Sequence, residues 1–346
     1  MDSLTHALMG AQLAHLGTTR DPNLSPRARL LLGGFAAAFP DIDFIGFAIH
    51  PLRFLAHWHQ APTHSLVLLP VWAALLAAGW CGLTRRREAF REAVVVSGAG
   101  IASHIALDVI TAYGTQVFYP LSDRRVTLGT TFVIDPLFTA ILAIGVVASL
   151  RGRRRVGVGC LLMLGAYVGA QGLLRLQAER VAAAAVGSAP VTALPQPFSP
   201  FNWKLVITHA DGHQVGHVNL AGHPALVPPL PGLQAWHAMA QAYAPPDRLV
   251  WQRRSRFGDE PSLRALTEPL WRRPDFADFQ RFAVLPALSR VDETAGRRCV
   301  WFTDLRYDLP AWPDTFRYGF CQTPPGVPWR LFRLRYFSED ALQPLQ

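Results

Sequence analysis

Charge is scarce in this chain: Asp, Glu, Lys and Arg make up 16% of 346 residues, against ~25% in soluble domains, while 50% are hydrophobic. That balance argues against a disordered chain and against an ordinary cytosolic two-domain enzyme. Lysine is nearly absent, with Lys204 the single example, so positive charge means arginine. The net charge of +9 does not mark a nucleic-acid binder, because residues 1–180 hold 16 Arg against 10 acids and residues 181–346 hold 17 basic residues against 14. The four cysteines show no CxxC spacing, which removes a zinc ribbon or a dithiol redox motif. HExxH is missing, which disfavours an intramembrane metalloprotease, and no GxSxG turn surrounds Ser65, so Thr63 and Ser65 read as helix-capping residues. The amino-terminal stretch has neither a basic n-region nor a cleavage site, and is expected to remain in the mature protein.

Long apolar runs are present instead. Residues 66–83 carry no charge and are long enough to cross a hydrocarbon core of ~30 Å. Residues 136–150 and 156–174 form a second and third run, joined by RGRRR. Two more, 30–49 and 93–112, are interrupted by Asp41, Asp43, His104 and Asp108. Residues 2–17 read as a short or re-entrant helix beside these five segments. Arginines cluster at 20, 27 and 29, at 85–87 and 91, and at 151–155, and short cytoplasmic loops retain such residues. With all three clusters inside, the loops 50–64 and 112–132 and everything after 176 face outward. The expected fold is an α-helical polytopic membrane domain over 1–186, a Pro-rich linker over 187–200, and a small α+β extracytoplasmic domain over 201–346. In that last domain WKLVITHA and HQVGHVNL flank Asp211-Gly212, a two-residue hairpin signal. CVWFTDLRY, FRYGFCQ and WRLFRLRYF read as further strands, and 232–285 as mostly helical. His213 and His217 share one strand face there and are expected to be exposed. Cys299 and Cys321 lie in neighbouring strands and are expected to pair in an oxidising compartment.

Ionisable residues inside apolar segments are costly and mark function by default. His104 and Asp108, four apart, share one face of a helix and suit one cation, with Zn²⁺ favoured by imidazole and carboxylate donors. Pro40 in FPDID disfavours a regular helix, so Asp41 and Asp43 point to one side in an extended or unwound segment. His50, His57, His59 and His64 crowd one outward loop. Under the topology above, 41–43, 59–64 and 104–108 meet in the outer half of the membrane. The expected site is one divalent metal held by Asp43, His59, His64, His104 and Asp108, with Asp41 as general base and His6 as an additional candidate. Arg124 and Arg125, on an outward loop, suit phosphate binding through the guanidinium fork.

The ordered motifs MDSLTHALMG, PDID, HQAPTHSL and HIALDVITAYGTQVFYPLSDRR resemble those of the LexA-regulated, inner-membrane-associated metal-dependent hydrolase family, also called YdjM-like. The resemblance is strong over about residues 1–150. It implies a multi-helix protein of the bacterial inner membrane that binds a divalent metal, with hydrolase activity directed at phospholipid or another membrane ester. One place departs from the family's HRxxTHS pattern: Gln60 stands where Arg is usual. The alternative is a non-catalytic, metal-stabilised membrane protein whose outer domain binds a partner. A transporter is disfavoured by the absence of a visible repeat.

Overall fold

The computed structural model describes residues 1–17, 23–186, 189–223, 234–294, 296–324, 326–336 and 338–345. Arg20 of the first arginine cluster and residues 187–188 of the expected linker lie outside the described residues. The chain divides into two compact units, Met1–Leu173 and Leu174–Gln346.

The first unit is helical. Helix α1 (Ser3–Leu16) begins at Asp2, whose carboxylate accepts from the Thr5 amide at 3.0 Å and the Thr5 hydroxyl at 2.7 Å. Helix α2 (Pro26–Ala38) is capped by Ser25 and carries Pro26 at its first position, where a missing N–H costs nothing. It continues through a 3-10 turn (Phe39–Phe44) into α3 (Ile45–Ile49). The short helix α4 (Pro51–Arg53) leads into a π-helical turn (Phe54–Trp58) and a 3-10 turn (Pro62–His64). Then come α5 (Leu69–Thr84), α6 (Phe90–Val109), α7 (Pro136–Leu150) and α8 (Arg154–Val186), the last running on into the second unit.

Among the described residues, three helical runs are long and apolar enough to cross a membrane: Pro26–Ile49, Arg87–Val109 and Arg154–Ala185. The charge-free run 66–83 forms a helix of only 16 residues, which passes that test solely together with Pro51–His64, from which it is bent by 71°. Pro136–Leu150 is a shorter apolar helix.

Small residues set how closely α1, α2 and α6 approach. A Cβ on Gly10 would lie 2.2 Å from the Gly33 carbonyl oxygen, one on Gly33 2.4 Å from Ala14 Cβ, and one on Gly100 2.8 Å from that same Gly33 oxygen. Glycine is therefore required where the three backbones meet, as in tightly packed membrane helices. Gly10 lies one turn after His6, and Gly100 one turn before His104. The crossing thus fixes the separation of two histidines. Gly33→Ala should force α1 and α2 apart, costing ~1–3 kcal/mol of overpacking strain. The thermal unfolding temperature in detergent should fall; a variant with unchanged melting would contradict the crossing.

The second unit is strand-rich. One sheet has the order β1 (Val191–Pro195), β2 (Asn202–His209), β3 (Gly212–Asn219) and β4 (Gln252–Ser255), all antiparallel. The other runs β5 (Pro286–Thr294), β6 (Arg297–Asp304), β7 (Tyr318–Gln322), β8 (Arg330–Leu334) and β9 (Leu342–Pro344). Helices α9 (Gln234–Gln241), α10 (Pro261–Trp271) and α11 (Ala277–Phe282) complete it. Residues 191–195, read from composition as linker, form an edge strand, since one antiparallel neighbour suffices to hold a Pro-flanked segment. The hairpin loop is Ala210-Asp211 rather than Asp211-Gly212. Gly212 pairs with His209, and glycine is needed there because a Cβ would sit 2.6 Å from the Arg254 carbonyl of β4.

Strand β2 is buried on both faces over its first six residues. Trp203 and Leu205 pack with Val218, Ala193 and the α8 residues Ala178 and Ala182. Lys204, on the other face and fully buried, donates to the Leu305 carbonyl at 2.6 Å and to the Asp308 carbonyl and carboxylate. Arg254 donates to the other Asp308 oxygen at 3.1 Å. His213 and His217, expected exposed, are not: His213 is buried and approaches the Pro286 carbonyl at 3.1 Å, and His217 is half-buried opposite Lys204. Cys299 and Cys321 are direct partners in the β6–β7 register and form a disulfide, with Cα atoms 4.1 Å apart.

Candidate metal centre

Four segments of the first unit converge. His104 and Asp108 lie on one face of α6 as the i, i+4 spacing requires, with Nε2 to Oδ2 at 3.2 Å. His64, in the 3-10 turn after Pro62, brings its Nε2 to 3.0 Å from His104 Nε2 and 3.3 Å from Asp108 Oδ2. His6 of α1 stacks on the His104 ring at a centroid distance of 3.6 Å and reaches Asp108 Oδ1 at 3.2 Å. Asp41 places Oδ1 3.7 Å from His104 Nε2 and accepts from the Ser3 hydroxyl at 2.6 Å. Two groups have ligand atoms mutually within 4.8 Å: His6, His104 and Asp108, and Asp41, His64 and His104.

The donor chemistry fits a cation. His104 Nδ1 lies 2.6 Å from the Ala37 carbonyl, which can only accept, so Nε2 is the ring nitrogen left for a cation. His64 Nδ1 has the Thr63 hydroxyl at 3.0 Å, leaving its Nε2 turned to the same point. The edges of the triangle His64 Nε2, His104 Nε2 and Asp108 Oδ2 measure 3.0, 3.2 and 3.3 Å. Ligands ~2.0–2.1 Å from a tetrahedral zinc lie ~3.3 Å apart, nearly the same spacing. Burial is deep, with His6, His64 and His104 at 0% and Asp108 at 2% exposure. The ring contacts to a backbone carbonyl and a hydroxyl are of the kind that orient metal-binding imidazoles.

The structure sorts the expected residues differently from their motifs. Asp41, expected as the base, joins the inner group, whereas Asp43 turns away to His59 Nδ1 at 3.2 Å and the Gln60 amide at 3.1 Å. The reason is the 3-10 turn: at three residues per turn, positions two apart diverge, where the expected extended segment would have aligned them. Asp43 Oδ2 lies 3.8 Å from His64 Nδ1, behind the ring, and its Oδ1 is buried with no hydrogen-bond partner among the described residues. His59 contacts the rings of Phe44, Phe54 and Tyr113 and is not in either ligand group. His50 accepts from the Arg53 amide and caps α4. Arg125 donates to the carbonyls of Gly114 at 3.0 Å and His59 at 3.4 Å and lies 5.2 Å from the Tyr113 ring centroid, a clasp between two loops. Arg124 is exposed, its amide donating to Ser122.

Sequence reasoning passed over three contributors. Gln60, noted only as a departure from a motif, donates from Nε2 to Asp108 Oδ2 at 3.0 Å and accepts from Thr115 at 3.0 Å, with its backbone left-handed at φ 57°. Ser3 gave no signal. The Met1 amine lies 2.5 Å from Asp108 Oδ1, so that carboxylate is held on both oxygens.

A helical unit of apolar runs enclosing a buried histidine–carboxylate cluster defines a membrane protein with a candidate metal centre. The profile of the YdjM inner membrane protein family matches residues 1–178, and the chain belongs to that family. It is also similar to the uncharacterized protein YfhP of Bacillus subtilis, with 24% identity over 256 residues covering 70% of this chain and 76% of that one. No solved structure matches.

Proposed function

We propose that this protein is a membrane-bound, metal-dependent hydrolase acting on phospholipid or another membrane-associated ester, with Zn²⁺ as its ion. The observation that carries the reading is the triangle of His64, His104 and Asp108 with Asp41 beside it. A divalent ion bound there supplies a Lewis acid that acidifies water and polarises the oxygen under attack. Asp41 is the ligand-group member with most access, its side chain 17% exposed, so it is the group placed to take up a proton. Ser3 holds its other oxygen and orients it. Gln60 and the Met1 amine keep Asp108 turned toward the histidines. Arg124, exposed on its loop, is the arginine that would meet a substrate phosphate, while Arg125 positions the loop carrying His59.

In this reading the arginine clusters at 27–29, 85–91 and 151–155 are cytoplasmic and the second unit is extracytoplasmic. The disulfide Cys299–Cys321 supports that side for the second unit, as Cys81 and Cys160 of the first stay free. The near-complete burial of four ligand candidates favours one competing reading, a closed site that only ties helices together. The two separate in one experiment. Purified protein is analysed for metal, then given phospholipid vesicles with and without chelator. Chelator-sensitive release of headgroup or fatty acid is the expected result; bound metal with no turnover of any lipid ester would support the closed, structural site.

A further inference from the structure

Helices α5 and α6 leave a groove of about 440 Å³ at the end where they are joined, lined by Ala78, Cys81, Gly82, Arg87 and Phe90. Its walls are apolar apart from Arg87. On the α5 side Gly82 leaves open space, for a Cβ built there would meet nothing within 4 Å. Its floor is firm: Cys81 belongs to a packed cluster with Ala77, Ala89, Ala93 and Leu32. Arg87 belongs to the lining, and the connecting stretch 85–91 carries Arg85, Arg86, Arg87 and Arg91 against Glu88 alone. The nearby Glu92 does not neutralise them, being engaged by Arg29 at 2.7 Å and by the amides of Asn23 and Leu24 at 2.7 and 2.8 Å. Arg85 ends α5 in the left-handed conformation at φ 57°, a position glycine fills at less strain. An arginine there adds charge to the connection next to the groove at a conformational cost.

We infer that this groove binds an anionic phospholipid, one acyl chain lying between α5 and α6 and the phosphate held by Arg87 with its neighbours. A membrane lipid is the occupant that fits both halves, because an apolar slot between membrane helices ending in a basic rim matches the headgroup and chain of one molecule. The pocket size is in the ~300–1,000 Å³ range of small-molecule sites. The proposal is independent of the metal centre and of any hydrolysis, since it uses none of the same residues.

The test is lipid retention. Full-length protein is equilibrated in vesicles of equal parts phosphatidylglycerol and phosphatidylcholine, extracted gently and weighed intact by native mass spectrometry. Wild type is expected to keep phosphatidylglycerol in preference, and Arg87→Ala to lose about fivefold of that preference, the effect of one surface arginine on an anionic lipid. Gly82→Trp or Ala78→Phe, either of which fills the slot, should abolish retention. Arg153→Ala, in a different arginine cluster, should change nothing. Equal retention of the two lipids by wild type would overturn the proposal. So would a loss in Arg153→Ala matching that in Arg87→Ala, or displacement by soluble glycerol phosphate as effective as by the lipid.

Discussion

Replacing His104 by alanine is expected to reduce bound metal to background, and His64→Ala to do the same. His104 supplies one corner of the donor triangle, stacks on His6 and is fixed by the Ala37 carbonyl, so its loss opens the site and frees two neighbours. Asp43→Asn and His59→Ala should be milder, weakening retention ~10–100-fold, as expected of groups behind the ligands. Metal per chain by inductively coupled plasma mass spectrometry, followed by titration with a competing chelator, separates the two classes. Complete loss in the Asp43 and His59 variants, with metal kept in His6→Ala and Asp41→Asn, would restore the ligand set expected from the motifs and overturn the geometry described here.

Removal of the one lysine should be as severe for the second unit. Lys204→Met leaves the Asp308 carboxylate buried beside Arg254 alone, and breaking such a pair costs ~3–5 kcal/mol. At ~2–4 °C per kcal/mol for a unit of this size, its melting should drop by ~6–20 °C. Seven of the ten tryptophans lie in that unit, so tryptophan fluorescence of the full chain reads it. The double variant Lys204→Met with Asp308→Leu should recover most of the loss, because both desolvated charges go together. A single variant melting like wild type would mean that the pair contributes nothing.

The same cluster sets a pH dependence. Burial, reinforced by the Lys204 charge, pushes the His217 imidazole down to about 4. Its unfolded counterpart takes a proton near pH ~6.5, so the unfolded state binds more protons between those values and stability falls as the pH drops through that window. Burial would raise the Asp308 carboxyl, but Lys204 and Arg254 outweigh it and hold it below the ordinary range. Its contribution is present at neutral pH and is lost at still lower pH, as the folded carboxylate is finally protonated. His217→Gln should flatten the upper part of the acid transition and leave the lower part.

Several features were legible without coordinates because they depend on local spacing. His104 and Asp108 meet through the pitch of one helix, and the same rule holds whatever packs around them. The strands of the second unit followed from β-branched and aromatic content, and Cys299 and Cys321 sit opposite one another in consecutive strands. The match to the YdjM inner membrane protein family bears out the family membership that four ordered motifs had indicated.

Other features depend on which groups the folded chain brings together. Asp41 and Asp43 are equivalent in FPDID; the 3-10 turn sends one into the cluster and the other behind it. Residues 66–83 have the composition of a membrane span, yet their helix begins only at Leu69, after a 71° bend from Pro51–His64 that leaves His64 beside α6. His6 enters because Gly10, Gly33 and Gly100 let three backbones approach within a distance no Cβ would tolerate. Composition and periodicity determined the two-part architecture, the helical metal-ligating pair and the strands, since each is a property of neighbours along the chain. The choice among competing carboxylates, the recruitment of His6 and Gln60, and the burial of Lys204 were decided only by tertiary packing. Each of these depends on desolvation and on contacts between residues tens to a hundred positions apart, and local sequence does not encode those distances.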